Sequence, residues 1–582
     1  MEASQISKKI DRPFFTKTSI AIMSSVENFK SAVVRIRDIL RGPGMSITGM
    51  DSMRHICLYL LSRYMTKDKV HSLCVPIEFA WENLIETAQT KNGGTQKALD
   101  YFFHAEGDCL VRHFDRLFGT DKFSFDIKNT VKHKEILEIL NGVKMEDVDC
   151  QMDVLGWVYE QHLKTGSSAA RDLGQFFTDR FICEYMVNLC APEFKGKGVP
   201  ESVCDPSMGT GGFLTAFMKY YKNKYPKTPI DWSVQQKEIH GCDTDPKVAG
   251  VSRLNLFMES GGNRFNNILT HDSLYGDLTQ TGYDVILANM PFGLKGIKHA
   301  ECCERVNKLK IRGTKSEPLF LQLMMVSLNL GGRCAVVVPE GMLVNDSSLH
   351  NNTRKYLLDN YELKRIIKMK GQFFMNTCIQ PSILFFENTG KPTKNVQFWD
   401  LIKNDKGDIQ ELMMLSVPRD KVDSISSFDM RRYQETKVVS NPTLYPSQKI
   451  LDVVLLKYGF PFKSSDYTNE GLAVVKHNNI TDGYVSKSKK QDYIPSSNQT
   501  DNYKLKVGDI VISMDFDCGK VGKIIEDGWV LNQRVCLARS KTENLRQGYL
   551  YWFLRFGGFY EKMQSLHTGT TIKHISGKCI EK

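Results

Sequence analysis

The chain lacks any run of eighteen or more apolar residues, which argues against a membrane-spanning helix. Its first residues, Met1 to Lys9, hold no apolar stretch of the kind a secretory leader needs. The fifteen cysteines form no CxxC pair, and Cys302-Cys303 is their only close cluster. That spacing favours reduced thiols over a disulfide framework or a zinc site, so no metal is expected and the cytoplasm is the expected compartment. Internal repeats, long low-complexity linkers, and nuclease or helicase motifs are all missing. What remains is ordinary globular material: 582 residues, 41% hydrophobic and 25% charged, enough for three or four domains. The net charge of +11 allows a polyanionic partner without requiring one.

Three textures follow one another. Residues 1–165 read as a helical N-terminal domain, because apolar residues recur at three- and four-residue spacing, as in Cys57-Leu58-Tyr59-Leu60-Leu61 and Phe79-Ala80-Trp81 with Leu84-Ile85. Residues 166–430 alternate short, β-branched-rich strands with helices: Ser202-Val203-Cys204, Ile239 to Cys242, Val285 to Ala288, Cys334 to Val338 and Ile383 to Phe386. That alternation predicts a Rossmann-like, doubly wound α/β domain. Residues 440–582 read as a β-rich α+β domain, with strands at Ala473-Val474-Val475, Asp509 to Ser513 and Trp529-Val530-Leu531 between Gly/Asp turns. This last domain carries roughly half the excess positive charge, an asymmetry that favours a nucleic-acid role.

Two motifs of the α/β domain carry chemistry. The first is Asp205-Pro206-Ser207-Met208-Gly209-Thr210-Gly211-Gly212-Phe213. A strand ending in an acid, then glycines, then a helix lets the backbone approach a ligand, and the helix N-terminus favours a carboxylate or phosphate there. No P-loop lysine follows, against a nucleoside triphosphatase. A glycine turn with no ligand is the bland alternative. Against it, Asp243 lies about 38 positions on, where a ribose diol would find a bidentate acceptor. A third acidic strand end, Asp272-Ser273, follows in order. The second motif is Asn289-Met290-Pro291-Phe292, after the apolar run Val285 to Ala288. It sets an amide side chain, a constrained backbone and an aromatic ring at the end of a buried strand. Just upstream of both motifs, Gly174-Gln175-Phe176-Phe177-Thr178 precedes an amphipathic helix through Met186, and Thr178 fits its N-cap.

Together these motifs resemble the modification subunit of type I restriction–modification systems, an N6-adenine DNA methyltransferase with the gamma order of motifs. The match runs from about residue 30 to 390 and includes Ile39-Leu40-Arg41-Gly42 and the stretch Asn376 to Phe386. The resemblance implies S-adenosylmethionine as cofactor, held by Asp205, Ser207, Gly209, Thr210, Gly211, Gly212, Phe213 and Asp243. Asp272 and Ser273 would serve its adenine, and Gln175, Phe177 and Thr178 would close over its methionine end. It implies double-stranded DNA as substrate, with Asn289, Met290 (through its carbonyl), Pro291 and Phe292 holding a flipped adenine. The adenine amine is a poor nucleophile because its lone pair is delocalised into the ring. The Asn289 oxygen and the carbonyl of residue 290 can accept its two hydrogens and aim the lone pair at the sulfonium methyl, and positioning then lowers most of the barrier. The family loop is usually Asn-Pro-Pro-Phe; here Met290 replaces the first proline, while Pro291 still pushes it toward an extended conformation.

The C-terminal domain resembles a target-recognition domain of the type I specificity subunits. The matching pieces are Val507 to Ser513, Gly519-Lys520-Val521-Gly522, Leu531 to Arg534, the helix-like Tyr549 to Leu554 and Gly569 to Ile575. Lys520, Arg534, Lys573 and His574 are the candidates for DNA contact, each of which reads equally as solvated surface charge. Specificity subunits carry two such domains, so a single one implies a homodimer, or a heteromer with a specificity or second methyltransferase subunit, together with a possible restriction subunit.

Two rival readings stay open. A protein glutamine methyltransferase would use a similar Asn-x-Pro-aromatic loop, because an amide nitrogen poses the same orientation problem. A catalytically silent subunit that positions DNA for an active partner has Met290 as its support. Cytosine N4 is a further possible acceptor. His299, Cys302, Cys303 and Glu304 read as part of a mobile loop over the substrate rather than as metal ligands, and Glu340 to Leu343 as a structural loop near the active site.

Overall fold

The computed structural model describes residues 7–9, 17–47, 49–70, 76–90, 93–102, 110–112, 127–144, 158, 178–196, 198–370, 373, 381–403, 409–425, 427–433, 448–488, 490–566 and 574–581. The chain divides into two units, Met1–Met342 with Ser347–Ser426 and Leu343–Asp346 with Ser427–Lys582.

The first unit is built on a ten-stranded sheet. Its strands are β1 (Ser7–Lys9), β2 (Val203–Asp205), β3 (Ile239–Asp243), β4 (Ile268–Thr270), β5 (Tyr283–Asn289), β6 (Leu328–Val338), β7 (Glu362–Lys370), β8 (Ser382–Glu387), β9 (Asn395–Lys403) and β10 (Ile409–Pro418). Their spatial order is β1-β10-β9-β7-β8-β6-β5-β2-β3-β4. Strands β4, β3, β2, β5 and β6 run parallel, and β8 lies antiparallel between β6 and β7. The parallel centre requires cover on both faces, and its residues obey that demand: Val285 to Ala288 and Cys334 to Val338 are all buried. Strand order reverses between β2 and β5, and a ligand crevice belongs outside the strand ends at such a switch point.

Strands β7, β9 and β10 extend the sheet beyond the candidates named from the sequence. Along β9 buried residues interleave with half-exposed ones, while β10 buries only Ile409 and Val417 and leaves its apolar run Leu412 to Leu415 half-exposed or exposed, so neither reads as a buried strand. The helices that flank the centre are α6 (Arg180–Cys190), α7 (Gly212–Lys224), α8 (Pro246–Glu259) and α9 (Ser316–Val326), preceded by the N-terminal helices α1 (Lys17–Arg41), α2 (Gly49–Tyr64), α3 (Trp81–Gln89), α4 (Gly94–Phe102) and α5 (Thr130–Asn141).

Helix α8 joins the two layers of this unit. Val248, Val251, Leu254 and Phe257 belong to the core of the N-terminal helices, with Leu58, Tyr59, Phe102 and Ile136. Ala249 and Leu256 on its other side join the sheet core. A helix buried on both sides need not be amphipathic. Asp245 caps it, accepting from Lys247 N at 2.8 Å, and Pro246 takes the first helical position, where its missing N–H costs nothing.

The second unit holds a six-stranded and a three-stranded sheet. Val454–Tyr458 (β11), Ile480–Thr481 (β13), Tyr484–Val485 (β14), Ile510–Ser513 (β16), Val521–Lys523 (β17) and Val535–Ser540 (β19) form the larger, in the order β11-β19-β16-β17-β14-β13. Leu472–Val475 (β12), Tyr493–Ile494 (β15) and Trp529–Leu531 (β18) form the smaller, with β12 in the middle. Helix α10 (Gln547–Phe556) packs Leu550, Tyr551 and Leu554 on the larger sheet. Asp509, nearly buried, is held by Arg539 through Nε at 2.6 Å and accepts from Lys506 N at 2.8 Å, which pins the start of β16.

Candidate active site

A cavity of about 470 Å³ opens beyond the ends of β2, β3, β4 and β5. Its wall takes in Thr178, Asp205, Ser207, Gly209, Thr210, Gly212, Phe213, Asp243, Asp272, Ser273, Asn289, Met290 and Pro291, so the three acidic strand ends and most of the second motif share one space.

The glycine loop is shaped by its backbone. Gly209 and Gly211 both adopt positive φ, at 54° and 82°. A side chain on Gly211 would meet Ser252 Oγ at 2.5 Å, so this glycine is required by the close approach of α8, and it lies outside the cavity wall. Gly209, which lines the cavity, has nothing within 4 Å of where a Cβ would stand. Asn255 of α8 donates to Thr210 O at 2.8 Å and fixes the loop from behind.

Asp205 is fully buried. Its Oδ1 accepts from Ser207 N at 3.0 Å, whereas Oδ2 has no hydrogen-bond partner. Burial, with the neighbouring Asp243 charge adding to it, pushes this carboxyl well above the ordinary carboxylate range. A buried acceptor without a donor is costly, and a cationic group such as an amino acid ammonium would satisfy it. Asp243 accepts from Gly209 N at 3.1 Å and from Asp245 N at 2.9 Å, and burial raises its carboxyl too. Asp272 accepts from Leu274 N at 2.9 Å. The adjacent Ser273 donates to Pro206 O at 2.6 Å, tying the turn after β4 to the turn after β2. An open glycine face, a partnerless buried carboxylate oxygen and a cavity of this volume fit a nucleoside carrying an amino acid tail.

Asn289 closes β5. Its Nδ2 donates to Thr178 Oγ1 at 3.0 Å, and its carbonyl accepts from Ser207 Oγ at 3.1 Å. Thr178 therefore does not cap the helix that follows. Asp179 does, accepting from Phe181 N at 2.9 Å, because its shorter reach to that N–H leaves the Thr178 hydroxyl to the asparagine. Met290 is buried to 1% exposure and forms part of the wall, so it is packed at this position. Phe292 lies outside the wall and packs half-buried against the sheet core. The N-terminal end of α9 holds the loop from below: Glu317 accepts from Gly293 N at 2.8 Å, and Ser316 Oγ donates to Pro291 O at 3.4 Å.

Gln175 and Phe177 lie outside the described residues, as do Gly174, Phe176, Asn376 to Gln380 and Lys573. The segment after the second motif, expected as a mobile loop, is instead structured: a 3-10 turn at His299–Glu301, buried Cys302 and Cys303, and a short helix at Glu304–Lys308. Among the described residues no group of three or more His, Cys, Asp or Glu side chains could hold a metal ion. Glu340–Val344 forms one helical turn after β6. The cavity also recruits Tyr275, Leu294 and Lys295, which the sequence reading passed over. Tyr275 and Leu294 are 40% and 38% exposed. The usable signal for Tyr275 was an aromatic three residues past a cavity acid.

In the second unit Arg534 and His574 converge on Asp515, at 3.1 Å from Arg534 Nε and 2.6 Å from His574 Nδ1. Lys520 sits 3.6 Å from Asp517 and is half-exposed.

An open, mostly parallel sheet with a glycine loop after one central strand and an Asn-x-Pro-Phe loop after its neighbour defines a nucleoside-cofactor fold of the methylase class. Residues 150–429 match the N-6 DNA Methylase family, and residues 447–582 match the type I restriction modification DNA specificity domain. The chain thus joins an N-6 DNA methylase domain to a type I DNA specificity domain. It is 29% identical over 285 residues to the type I restriction enzyme EcoEI methylase subunit of Escherichia coli, a match covering 48% of this chain and 55% of that protein. It is 24% identical over 263 residues to the type II restriction enzyme and methyltransferase RM.BcgI of Heyndrickxia coagulans, covering 44% and 38%. The chain thus spans about half, or less, of the length of these relatives. The crystal structure of a modification subunit assigned to a type I restriction enzyme of Vibrio vulnificus shares the fold, with a TM-score of 0.50 and 22% identity, covering 69% of this chain and 87% of that one. No helix among the described residues is long and apolar enough to cross a membrane.

Proposed function

We infer that the chain is a site-specific DNA methyltransferase that places a methyl group on N6 of adenine, with its C-terminal domain selecting the sequence. The observation that carries this reading is the meeting of Asn289 with Asp205, Asp243 and Asp272 around one cavity, with Ser207 Oγ donating to Asn289 O across the two loops. S-adenosylmethionine, when bound, supplies an electrophilic methyl on a sulfonium. Asp205 would take the ammonium, Asp243 the ribose hydroxyls and Asp272 the adenine amine, while Thr178 would close the methionine end. Asn289 and the carbonyl of Met290 would accept the two hydrogens of the target amine and aim its lone pair, the step for which positioning matters most. Pro291 would hold that carbonyl in an extended backbone.

The substrate is double-stranded DNA with the target base flipped out. Lys520, Arg534, Lys573 and His574 are the candidate contacts of the recognition domain. One recognition domain reads half of a two-part site, so a second copy, or a specificity or second methyltransferase subunit, completes the assembly, and a restriction subunit accompanies it where the mark protects against cleavage. The cytoplasm is the matching compartment.

Labelled S-adenosylmethionine offered with unmethylated genomic DNA and with whole-cell protein separates this reading from a glutamine methyltransferase. Label in the DNA fraction supports it; label confined to protein overturns it.

A further inference from the structure

The turn between β16 and β17 presents one ring to solvent and ties down what surrounds it. Phe516 is 46% exposed and has a φ of 56°, in the left-handed region that a bulky residue rarely enters. Its ring stacks on His477 with centroids 4.2 Å apart and planes 24° from parallel. On either side the turn is fixed. Met514 N donates to Arg534 O at 2.9 Å, Ile575 N to Met514 O at 2.9 Å and Gly519 N to Ser513 O at 2.8 Å. Asp515 takes Arg534 and His574, and Asp517 accepts from Tyr560 OH at 2.6 Å. A strained residue persists where its surroundings over-determine it, and such residues gather at binding sites.

We propose that the Phe516–His477 stack is an aromatic wedge by which the recognition unit enters the target duplex at a base step. This rests on the reading of the chain as a DNA methyltransferase. Arg534 and Lys520, each with a half-exposed side chain, pair with Asp515 and Asp517, the residues directly before and after Phe516. Cations for phosphates beside one apolar ring for the bases is the arrangement that kinks or unstacks DNA. A lone ring among charges is too small an apolar surface to dock a protein. His477 backs the ring, so the wedge is stiff before DNA arrives and loses little freedom on insertion.

The test uses the full chain and the duplex it methylates, with 2-aminopurine placed in turn at each adenine of the site. Phe516→Gly is the informative variant, because glycine adopts this φ freely and the fold keeps or gains thermal stability. The expected result is specific affinity weaker by about tenfold or more. The wild type's rise in 2-aminopurine emission is lost, the salt slope is unchanged, and Phe516→Trp recovers both signals. Unchanged specific affinity in Phe516→Gly, or lost affinity where the wild type shows no emission change, overturns the wedge while the methyltransferase reading stands. A wild type that neither selects nor methylates any duplex overturns both.

Discussion

Ser207 Oγ donates to the backbone carbonyl of Asn289 at 3.1 Å, joining the loop after β2 to the loop after β5. The two loops share one wall, so the bond sets where the Asn289 amide stands relative to anything held by the glycine loop. Ser207→Ala removes it. A neutral hydrogen bond contributes about 1 kcal/mol, so kcat should fall roughly fivefold to tenfold with little change in cofactor affinity. An equal loss in both quantities would mean that Ser207 acts on the cofactor and not on the asparagine.

Asp205 is held with one oxygen partnerless in a buried site. Its folded-state carboxyl titrates above its unfolded value, so the folded state binds more protons above the ordinary carboxylate range and loses stability as pH rises through that window. At neutral pH Asp205→Asn should therefore raise the thermal midpoint of the cofactor-free protein. It should also shrink the further rise produced by S-adenosylmethionine, because the amide no longer offers a charge to the ammonium. Thermal shifts with and without cofactor check this, and an undiminished cofactor shift in the variant contradicts the assignment.

Two buried histidines point to acid sensitivity. Burial lowers His133 from 6.5 to about 4, and it lowers His240 likewise to about 4. His133 Nδ1 lies 2.7 Å from Tyr59 OH inside the helical core. A depressed folded value makes the unfolded chain the better proton binder between the two values, so stability present above pH 6.5 is lost as pH falls toward 4. The thermal midpoint should decline across that window, and His133→Gln should decline less steeply. Parallel curves would remove His133 from the account.

Met290 stands where the resembled family has proline, a replacement that lifts the ring's constraint on φ. Its side chain is instead 1% exposed in the cavity wall, which anchors the carbonyl that the proline would have pre-set. The wild type should transfer methyl groups, and Met290→Pro should stay within about tenfold of it, a barrier change of roughly 1.4 kcal/mol. Activity that appears only in the proline variant would support a silent subunit.

Lys520 is close to Asp517 yet half-exposed, so it remains available to a phosphate. Lys520→Ala should lower the slope of log affinity against log salt by about 0.9, equally for all sequences. A change in sequence preference with an intact slope would make it a base reader.

The parts legible in the sequence were those with a single physical demand. Buried parallel strands must be apolar throughout, so Val285 to Ala288 and Cys334 to Val338 announced themselves. Glycines that must turn or let another element close, such as Gly211 against Ser252, also stood out. Strands β9 and β10 did not, because half-exposed residues break up the apolar pattern of β9 and the apolar run Leu412 to Leu415 of β10 is not buried. Side-chain partners across long separations were equally hidden. Thr178 read as a helix cap because a cap is the local option for a hydroxyl, and its partner Asn289 lies on a distant strand. Phe292 lies outside the cavity wall and packs half-buried on the sheet core, a contact with distant strands that its chain position does not announce.

The central claim is that Asn289 directs methyl transfer to adenine N6. Wild type and Asn289→Ala, each incubated with labelled S-adenosylmethionine and unmethylated genomic DNA and followed by nucleoside separation, test it most directly. The account predicts N6-methyladenine from the wild type and a loss of a hundredfold or more in the variant, on the order of removing one transition-state contact, with cofactor still bound. Label in another nucleoside, or equal N6-methyladenine from both proteins, would contradict it.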